Sequence, residues 1–155
     1  MKQVKVMRGI SGAGKSTLAE KLKEDALNHD ESVEICSADY YFVDDAGAYQ
    51  FNGAKLGEAH QDCLSDFLVA IEDGIDLVIV DNTNINIEDM APYVALGEMF
   101  GYNVEILQVN TPASVATARN VHGVPSKNVL RMEELLKTVK VPGRYKLTCI
   151  NSEEL

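Results

Sequence analysis

The sequence GISGAGKS at residues 9–16 constrains this chain more than any other stretch. It matches G-x-x-x-x-G-K-[ST] at every fixed position, and this pattern is typical of a loop that wraps around phosphate groups. Residues 4–8 alternate like a strand, and residues 17–26 carry Leu18 and Leu22 four positions apart, as in a helix. The alternative is a glycine-rich turn that binds nothing. Because the motif agrees with its strand–loop–helix context, the sequence favours phosphate binding.

The chemistry of this loop predicts its ligands. Glycines let backbone N–H groups converge on a polyphosphate, and the start of the following helix adds its positive dipole end. Lys15 then reaches the β and γ phosphates, and the Ser16 hydroxyl holds Mg²⁺. The predicted cofactors are ATP and Mg²⁺, although the motif does not distinguish ATP from GTP. The loop residues predicted to bind the nucleotide are Ser11, Gly12, Ala13, Gly14, Lys15, Ser16 and Thr17.

Composition bounds the class of protein. The 155 residues are 46% hydrophobic and 25% charged, as in one ordinary soluble domain, and no apolar run approaches the ~20 residues of a membrane helix. The three cysteines lack C-x-x-C spacing, so Cys36, Cys63 and Cys149 are predicted to be buried thiols. No secretory signal precedes the first strand. These features predict a cytoplasmic protein with no membrane partner.

The charge is unevenly distributed along the chain. The net charge is -10, but residues 119–146 hold seven basic and two acidic residues and are therefore +5, which leaves -15 for the rest. An acidic surface argues against an extended nucleic-acid interface, because phosphates need clustered Lys and Arg. The basic residues at 119–146 either form a solvated helix face or attract an anionic ligand to this end of the chain.

Strand and helix patterns alternate along the chain. The predicted strands are residues 4–8, 32–38, 77–80, 104–109 and 145–150; the predicted helices are residues 17–26, 59–72, 86–100, 112–121 and 126–138. This alternation predicts an α/β fold, a three-layer α/β/α sandwich with a mainly parallel central sheet. We expect one domain over residues 1–155, with a helical lid at about residues 112–138. Residues 40–58 are predicted to be irregular, as a substrate-covering loop or a lid on the core.

Polar residues follow several strands, at the sheet edge where ligands bind in such folds. Asp39 is the candidate general base, with a turn or N-cap aspartate as the alternative. Asp81 follows a buried apolar run and would complete a metal site with Ser16, unless it serves the turn at residues 81–84. Arg119 is the candidate cation over the transferred phosphate, and Arg8 and Arg131 are alternatives.

Two further features have no single interpretation. His122 has no acid–base partner that spacing identifies, so a structural or rim position is favoured and no role is assigned. The aromatic side chains of residues 40–51 either stack on a nucleobase or pack on the core; these are Tyr40, Tyr41, Phe42, Tyr49 and Phe51.

These motifs together resemble the P-loop kinase domain of bacteriophage polynucleotide 5′-kinases, and more closely the related small domain of a mammalian ubiquitin-ligase-binding protein. The resemblance is carried by residues 8–16, 37–42, 49–60 and 79–84 and extends through residues 92–96 and 119–124. It implies a P-loop NTPase fold over nearly the whole chain. The first motif is shared by many NTPases, whereas the ordered set is far more specific.

The resemblance implies roles for individual residues. Lys15 and Ser16 match the phosphate and Mg²⁺ pair, Asp39 matches the base that activates a 5′-hydroxyl, and Arg119 matches a lid arginine near the donor phosphates. The residues that match an acceptor channel are Thr83 and Asn84. One departure is Phe42, which stands where phage enzymes have an arginine for the acceptor phosphate. The second is the absence of the phage enzymes' phosphatase domain, so no 3′-end removal is expected.

The sequence therefore predicts an ATP-dependent phosphotransferase that moves the γ-phosphate to a hydroxyl. The favoured acceptor is the 5′-hydroxyl of a nucleotide or of a short or single-stranded nucleic acid. One alternative is a small-molecule kinase with an antibiotic or nucleotide-sugar acceptor. The other is a catalytically silent ATP-binding adaptor. The oligomeric state is left open.

Overall fold

The computed structural model describes residues 1–119 and 122–155. Within them, five strands alternate with helices. The strands are β1 (Gln3–Arg8), β2 (Val33–Cys36), β3 (Leu77–Val80), β4 (Asn103–Asn110) and β5 (Lys146–Asn151). The α-helices are α1 (Lys15–Asn28), α2 (Leu56–Glu72), α3 (Ile87–Met99), α4 (Ala113–Ala118) and α5 (Ser126–Thr138). Short 3-10 turns cover Ala38–Phe42, Gly53–Lys55 and Ser152–Glu154.

The five strands form one parallel sheet in the order β2-β3-β1-β4-β5. Val4 of β1 is in register with Val78 of β3 and Val104 of β4. Strand β3 is buried along its whole length because it lies between β1 and β2 and is covered on both faces. The α/β prediction is thus confirmed. The central sheet, predicted to be mainly parallel, is entirely parallel.

Side chains that alternate along the strands build a core on each face of the sheet. Val78 and Val80 pack in one core with residues of α2 and α3, including Cys63, Phe67 and Tyr93. The neighbouring residues Leu77 and Ile79 point to the opposite face and pack with residues of α1, α4 and α5. Because successive strand residues face opposite sides, one apolar run supplies both cores. The predicted three layers are therefore observed.

The structure refines the prediction for residues 40–58. In this described part of the chain, no named helix or strand lies between Phe42 and Gly53, but an antiparallel bridge joins Val43 to Tyr49, and helix α2 begins at Leu56 rather than Ala59. Phe42 packs in the core while Tyr40 and Phe51 are exposed. Local hydrogen bonds and one buried aromatic ring thus order a stretch that has no periodicity of its own.

Other differences concern element ends and one cysteine. The predicted helix at residues 126–138 is observed as α5 with the same bounds, and Pro125 is its N-cap residue. The predicted helix at residues 86–100 begins one residue later, since Asn86 is the N-cap of α3 and its N–H donates to Asp89 Oδ2 at 3.1 Å. The predicted end of the fourth helix, at residue 121, lies outside the described residues. Cys36 and Cys63 are buried as expected, but Cys149 is exposed because β5 is an edge strand.

Within the described residues, none of the helices combines the length and apolar character that crossing a bilayer requires.

Candidate active site

The carboxyl ends of the parallel strands surround a cavity of about 280 Å³. Residues 11–17 line it, together with Asp39 after β2, Asp81 and Thr83 after β3, and Arg119 after α4. Parallel strands end at the same edge, so side chains distant in sequence meet there. Except for Asn84, the structure brings every predicted site residue to this one cavity.

Backbone conformation explains the glycines of the loop at residues 9–16. Gly12 has φ 81°, and a Cβ at this position would collide with the carbonyl group of Ala116. Gly14 has φ 103° and stands directly before α1. The Thr111 hydroxyl donates to the Ala13 carbonyl at 3.0 Å and anchors the loop to the end of β4. The loop thus curls at the start of α1, as a phosphate-binding loop requires.

Lys15 is enclosed by this loop. It is 8% exposed, and its Nζ donates to the Ile10 carbonyl at 2.8 Å. Burial lowers the pKa of Lys15 to about 8, against the opposing effect of the Asp81 and Asp39 charges. A buried cation held in a loop of backbone donors fits a polyphosphate, whose oxygens would give the ammonium charged partners.

Ser16 and Asp81 form an oxygen-rich pair beside Lys15. The Ser16 hydroxyl donates to Asp81 Oδ2 at 2.7 Å. Burial raises the pKa of Asp81, and the Ser16 hydrogen bond and the Lys15 charge oppose that rise. Asp81 continues the strand ladder, because its N–H donates to the Cys36 carbonyl at 2.8 Å, and its carboxylate is directed at Ser16 rather than at a turn. A hydroxyl beside a carboxylate is the donor set that Mg²⁺ prefers, so these two residues fit the ion.

Asp39 lines the same cavity as this pair. Ser37, not Asp39, caps the turn Ala38–Phe42: the Asp39 N–H donates to Ser37 Oγ at 3.2 Å. The Asp39 side chain is 51% exposed. Its Oδ1 accepts a hydrogen bond from the Tyr49 hydroxyl at 3.3 Å, and its Oδ2 lies 3.6 Å from His122 Nε2. The carboxylate is therefore accessible from the cavity and is not used as a cap.

The residues after Asp81 differ in what they reach. The Asn82 side chain accepts from the Ala38 N–H at 2.9 Å and so fixes the backbone next to Asp39. Thr83 lines the cavity, and its carbonyl accepts from the Gly9 N–H at 3.0 Å. Asn84 is buried outside the cavity lining, and its Nδ2 donates to the Met7 carbonyl at 2.8 Å. Of the two predicted acceptor residues, only Thr83 faces the cavity.

The three candidate arginines have different surroundings. Arg119 is exposed, lines the cavity and donates to Ser152 Oγ at 3.4 Å. Arg8 is 2% exposed and donates to the carbonyls of Asn84, Ile85 and Val139 and to the side chain of Gln108, so it is committed to the core. Arg131 lies on α5 and does not belong to the cavity lining. Among these three cations only Arg119 is placed to meet a ligand there.

The position three residues after Asp39 belongs to the interior. Phe42 is 6% exposed and packs against Tyr49 and Phe51, with ring centroids 6.2 and 5.1 Å away. An acceptor in the cavity therefore does not contact this side chain.

Sequence reasoning missed three residues around Asp39. Asn82 follows Asp81 and could have been found by the same strand-end rule. Tyr49 was one of five aromatic residues without an individual role, and His122 lacked a partner identifiable by spacing. Both reach Asp39 through tertiary structure, so no local pattern could have selected them.

Comparisons with known proteins identify the family and the fold of the chain. Residues 4–135 match the family model of an AAA domain. NEDD4-binding protein 2 of Homo sapiens is 37% identical over an alignment of 143 residues that covers 88% of this chain. The chain spans only 8% of the length of that relative.

Two solved structures share the fold. The Pnkp1/Rnl/Hen1 RNA repair complex aligns with TM-score 0.72 and 12% identity, covering 94% of this chain and 47% of that one. The Mycobacterium tuberculosis APS kinase CysC, in complex with AMPPNP and APS, aligns with TM-score 0.65 and 17% identity, covering 97% and 88%. The chain therefore shares its fold with these structures, one of which is a kinase, and it belongs to the AAA-domain family.

Proposed function

We propose that this domain is an ATP- and Mg²⁺-dependent kinase that moves the γ-phosphate to a hydroxyl group, preferably the 5′-hydroxyl of a nucleotide or of a short or single-stranded nucleic acid. One observation carries the proposal: the accessible carboxylate of Asp39 shares a cavity with Lys15 and the Ser16–Asp81 pair. Phosphoryl transfer needs mainly positioning and charge neutralisation, and this cavity offers groups for both.

Each side chain has a role in this proposal. Lys15 and the backbone of residues 11–17 hold the donor phosphates, and Arg119 neutralises charge that develops on the transferred group. Ser16 and Asp81 would hold Mg²⁺, which when bound would neutralise negative charge on the phosphates. Asp39 accepts the proton of the acceptor hydroxyl as its oxygen bonds to phosphorus. Residues 112–138, which include α4 and α5, act as the lid that carries Arg119.

A nucleotide or nucleic-acid acceptor is supported by similar structures rather than by a site for an acceptor phosphate in this cavity. Among the similar structures, one is an RNA repair complex and another is an APS kinase in complex with AMPPNP and APS. The acidic character of the rest of the chain favours a short acceptor. The buried thiols of Cys36 and Cys63 are consistent with a cytoplasmic location, which is part of the proposal.

A small-molecule acceptor is the second candidate, favoured by a specific observation. Among the described residues that line the cavity, Lys15 and Arg119 are the only arginine or lysine side chains, and both lie on the donor side in this proposal. With Phe42 in the core, a phosphate beside the reacting hydroxyl has no dedicated arginine. An uncharged acceptor would not need one.

A single acceptor panel tests these candidates. The domain is incubated with γ-labelled ATP, Mg²⁺ and 5′-hydroxyl oligonucleotides of increasing length, nucleosides, nucleotide sugars and aminoglycosides, with Lys15→Ala as the inactive control. Label on oligonucleotides supports the proposal, and label only on nucleosides, nucleotide sugars or aminoglycosides supports the second candidate. Tight ATP binding without transfer to any of them would contradict both and favour an adaptor.

A further inference from the structure

The carboxylate of Asp39 is contacted at both oxygens by residues from two distant segments. The Tyr49 hydroxyl donates to Oδ1 at 3.3 Å, and His122 Nε2 lies 3.6 Å from Oδ2, within ion-pair distance. Tyr49 follows the turn Ala38–Phe42, whereas His122 lies between α4 and α5. Neither contact belongs to the phosphate loop or to the Ser16–Asp81 pair.

The two contacting side chains also support each other. The rings of Tyr49 and His122 are stacked at a tilt of 42°, with centroids 4.3 Å apart. Tyr49 is held by its bridge to Val43 and by the edge of the buried Phe42 ring. Because Tyr49 is anchored to the core and its ring contacts that of His122, the Tyr49 hydroxyl and His122 Nε2 have restricted positions. The Asp39 carboxylate that contacts both atoms is therefore restricted in its orientation.

We infer that Tyr49 and His122 are positioning residues for Asp39, which hold the two oxygens of its carboxylate in the orientation that proton abstraction needs. The inference rests on the proposed function, because it gives Asp39 the role of base. A carboxylate has about four acceptor sites, so these two contacts leave room for the acceptor hydroxyl. Neither residue is proposed to touch the transferred phosphate.

The state of Tyr49 agrees with this role. Burial and the neighbouring Asp39 charge raise the pKa of Tyr49 to about 12, so its hydroxyl keeps its proton and remains a donor at neutral pH. His122 is three residues beyond Arg119 in sequence, and both line the cavity. One segment thus provides a cation on the donor side and a contact to the base on the acceptor side.

The test compares phosphoryl transfer and ATP binding in matched variants. Tyr49→Phe removes only the hydroxyl and keeps the stacked ring, and His122→Ala removes the imidazole. We expect each variant to lower kcat by about tenfold, because each loses one contact to a charged group. The Kd for ATP should stay unchanged within about twofold. His122→Gln keeps a nitrogen donor of similar reach and should recover part of the loss.

Two controls make the same chemical changes away from the cavity. Tyr145→Phe removes a hydroxyl near the amino end of β5, at the opposite edge of the sheet. His29→Ala removes a second exposed histidine–aspartate contact, in which His29 Nδ1 lies 3.8 Å from Asp25 Oδ1. Both should transfer phosphate at the rate of the unmodified domain.

Double-mutant cycles with Asp39→Asn decide whether the two residues act through Asp39. If they do, Tyr49→Phe and His122→Ala have no further effect on kcat once Asp39 is replaced. The inference would be overturned if the effects on kcat multiply in the double variants. It would also be overturned if the single variants lose ATP affinity in proportion to kcat, or if they transfer phosphate at the rate of the unmodified domain.

A second measurement separates this inference from the proposed function. If the unmodified domain transfers phosphate to no acceptor, the proposed function fails, but urea unfolding still tests the contacts. Cycles of Asp39→Asn with Tyr49→Phe and with His122→Ala should show coupling of about threefold or more in the unfolding equilibrium constant. Strictly additive effects would show that the side chains do not hold Asp39.

Discussion

The side of the cavity that we propose for the phosphate donor and the side that we propose for the acceptor are built differently. On the donor side, Lys15 is buried in a loop fixed by α1, and Ser16 and Asp81 are joined by a 2.7 Å hydrogen bond. On the acceptor side, Asp39 is half-exposed, and its contacts come from Tyr49 and His122 at 3.3 and 3.6 Å. The donor side is thus preformed by one local motif and one neighbouring strand. The acceptor side is assembled from three separate segments.

Replacing Lys15 should have the largest effect, because it removes a charge on which both donor binding and transfer depend. We expect Lys15→Ala to lower transfer on the order of 10³-fold and to weaken ATP binding as well. Steady-state kinetics and calorimetric titration with ATP would measure the two effects. Undiminished ATP affinity in this variant would mean that the loop does not bind the phosphates. It would contradict the assignment of this side of the cavity to the donor.

Asp39→Asn should affect only the acceptor side. The variant keeps the size of the side chain but cannot take up the hydroxyl proton, so transfer should fall about 10²-fold while the Kd for ATP stays nearly unchanged. The same two measurements apply, with Asp44→Asn as a control for an exposed aspartate outside the cavity lining. Full activity of Asp39→Asn would place the base elsewhere.

Phe42→Arg tests whether the acceptor side can be converted to hold a phosphate as phage enzymes do. Because Phe42 is buried, an arginine there would be an uncompensated buried charge and should destabilise the domain by about 3 kcal/mol. Urea unfolding would measure the loss, with Phe51→Arg as the exposed aromatic control. A stable variant with improved affinity for phosphorylated acceptors would show that residue 42 can turn toward the cavity.

The buried state of Lys15 predicts a pH dependence confined to the donor side. Burial lowers the pKa of Lys15 to about 8, and bound phosphates favour the charged form, so binding raises that pKa and takes up a proton. The affinity for ATP should therefore be full at about pH 7 and fall by up to about tenfold per pH unit above about pH 8. Calorimetry across this range tests the sign, and Lys15→Met should lack the dependence. A flat profile would show that another group supplies the charge.

Much of the fold and of the donor side followed from sequence patterns. The apolar run at residues 77–80 indicated a strand covered on both faces, and β3 has helices on either side. The spacing of residues 9–16 predicted a loop before a helix, and α1 begins at Lys15. The acceptor side was less predictable. The apolar residues of 40–58 show neither helix nor strand periodicity. In the polar run at residues 81–84, the sequence could not distinguish Thr83, which lines the cavity, from Asn84, which is buried.

By itself the sequence determined the phosphate loop, the alternation of strands and helices and the carboxylates at the strand ends, because these depend on backbone conformation and on side-chain periods of two and 3.6 residues. Only the tertiary structure decided that Arg8 is committed to the core while Arg119 reaches the cavity, and that Tyr49 and His122 meet at Asp39. Those outcomes depend on contacts between residues far apart in the chain. Local sequence patterns cannot predict such contacts, because the topology of the chain brings these side chains together.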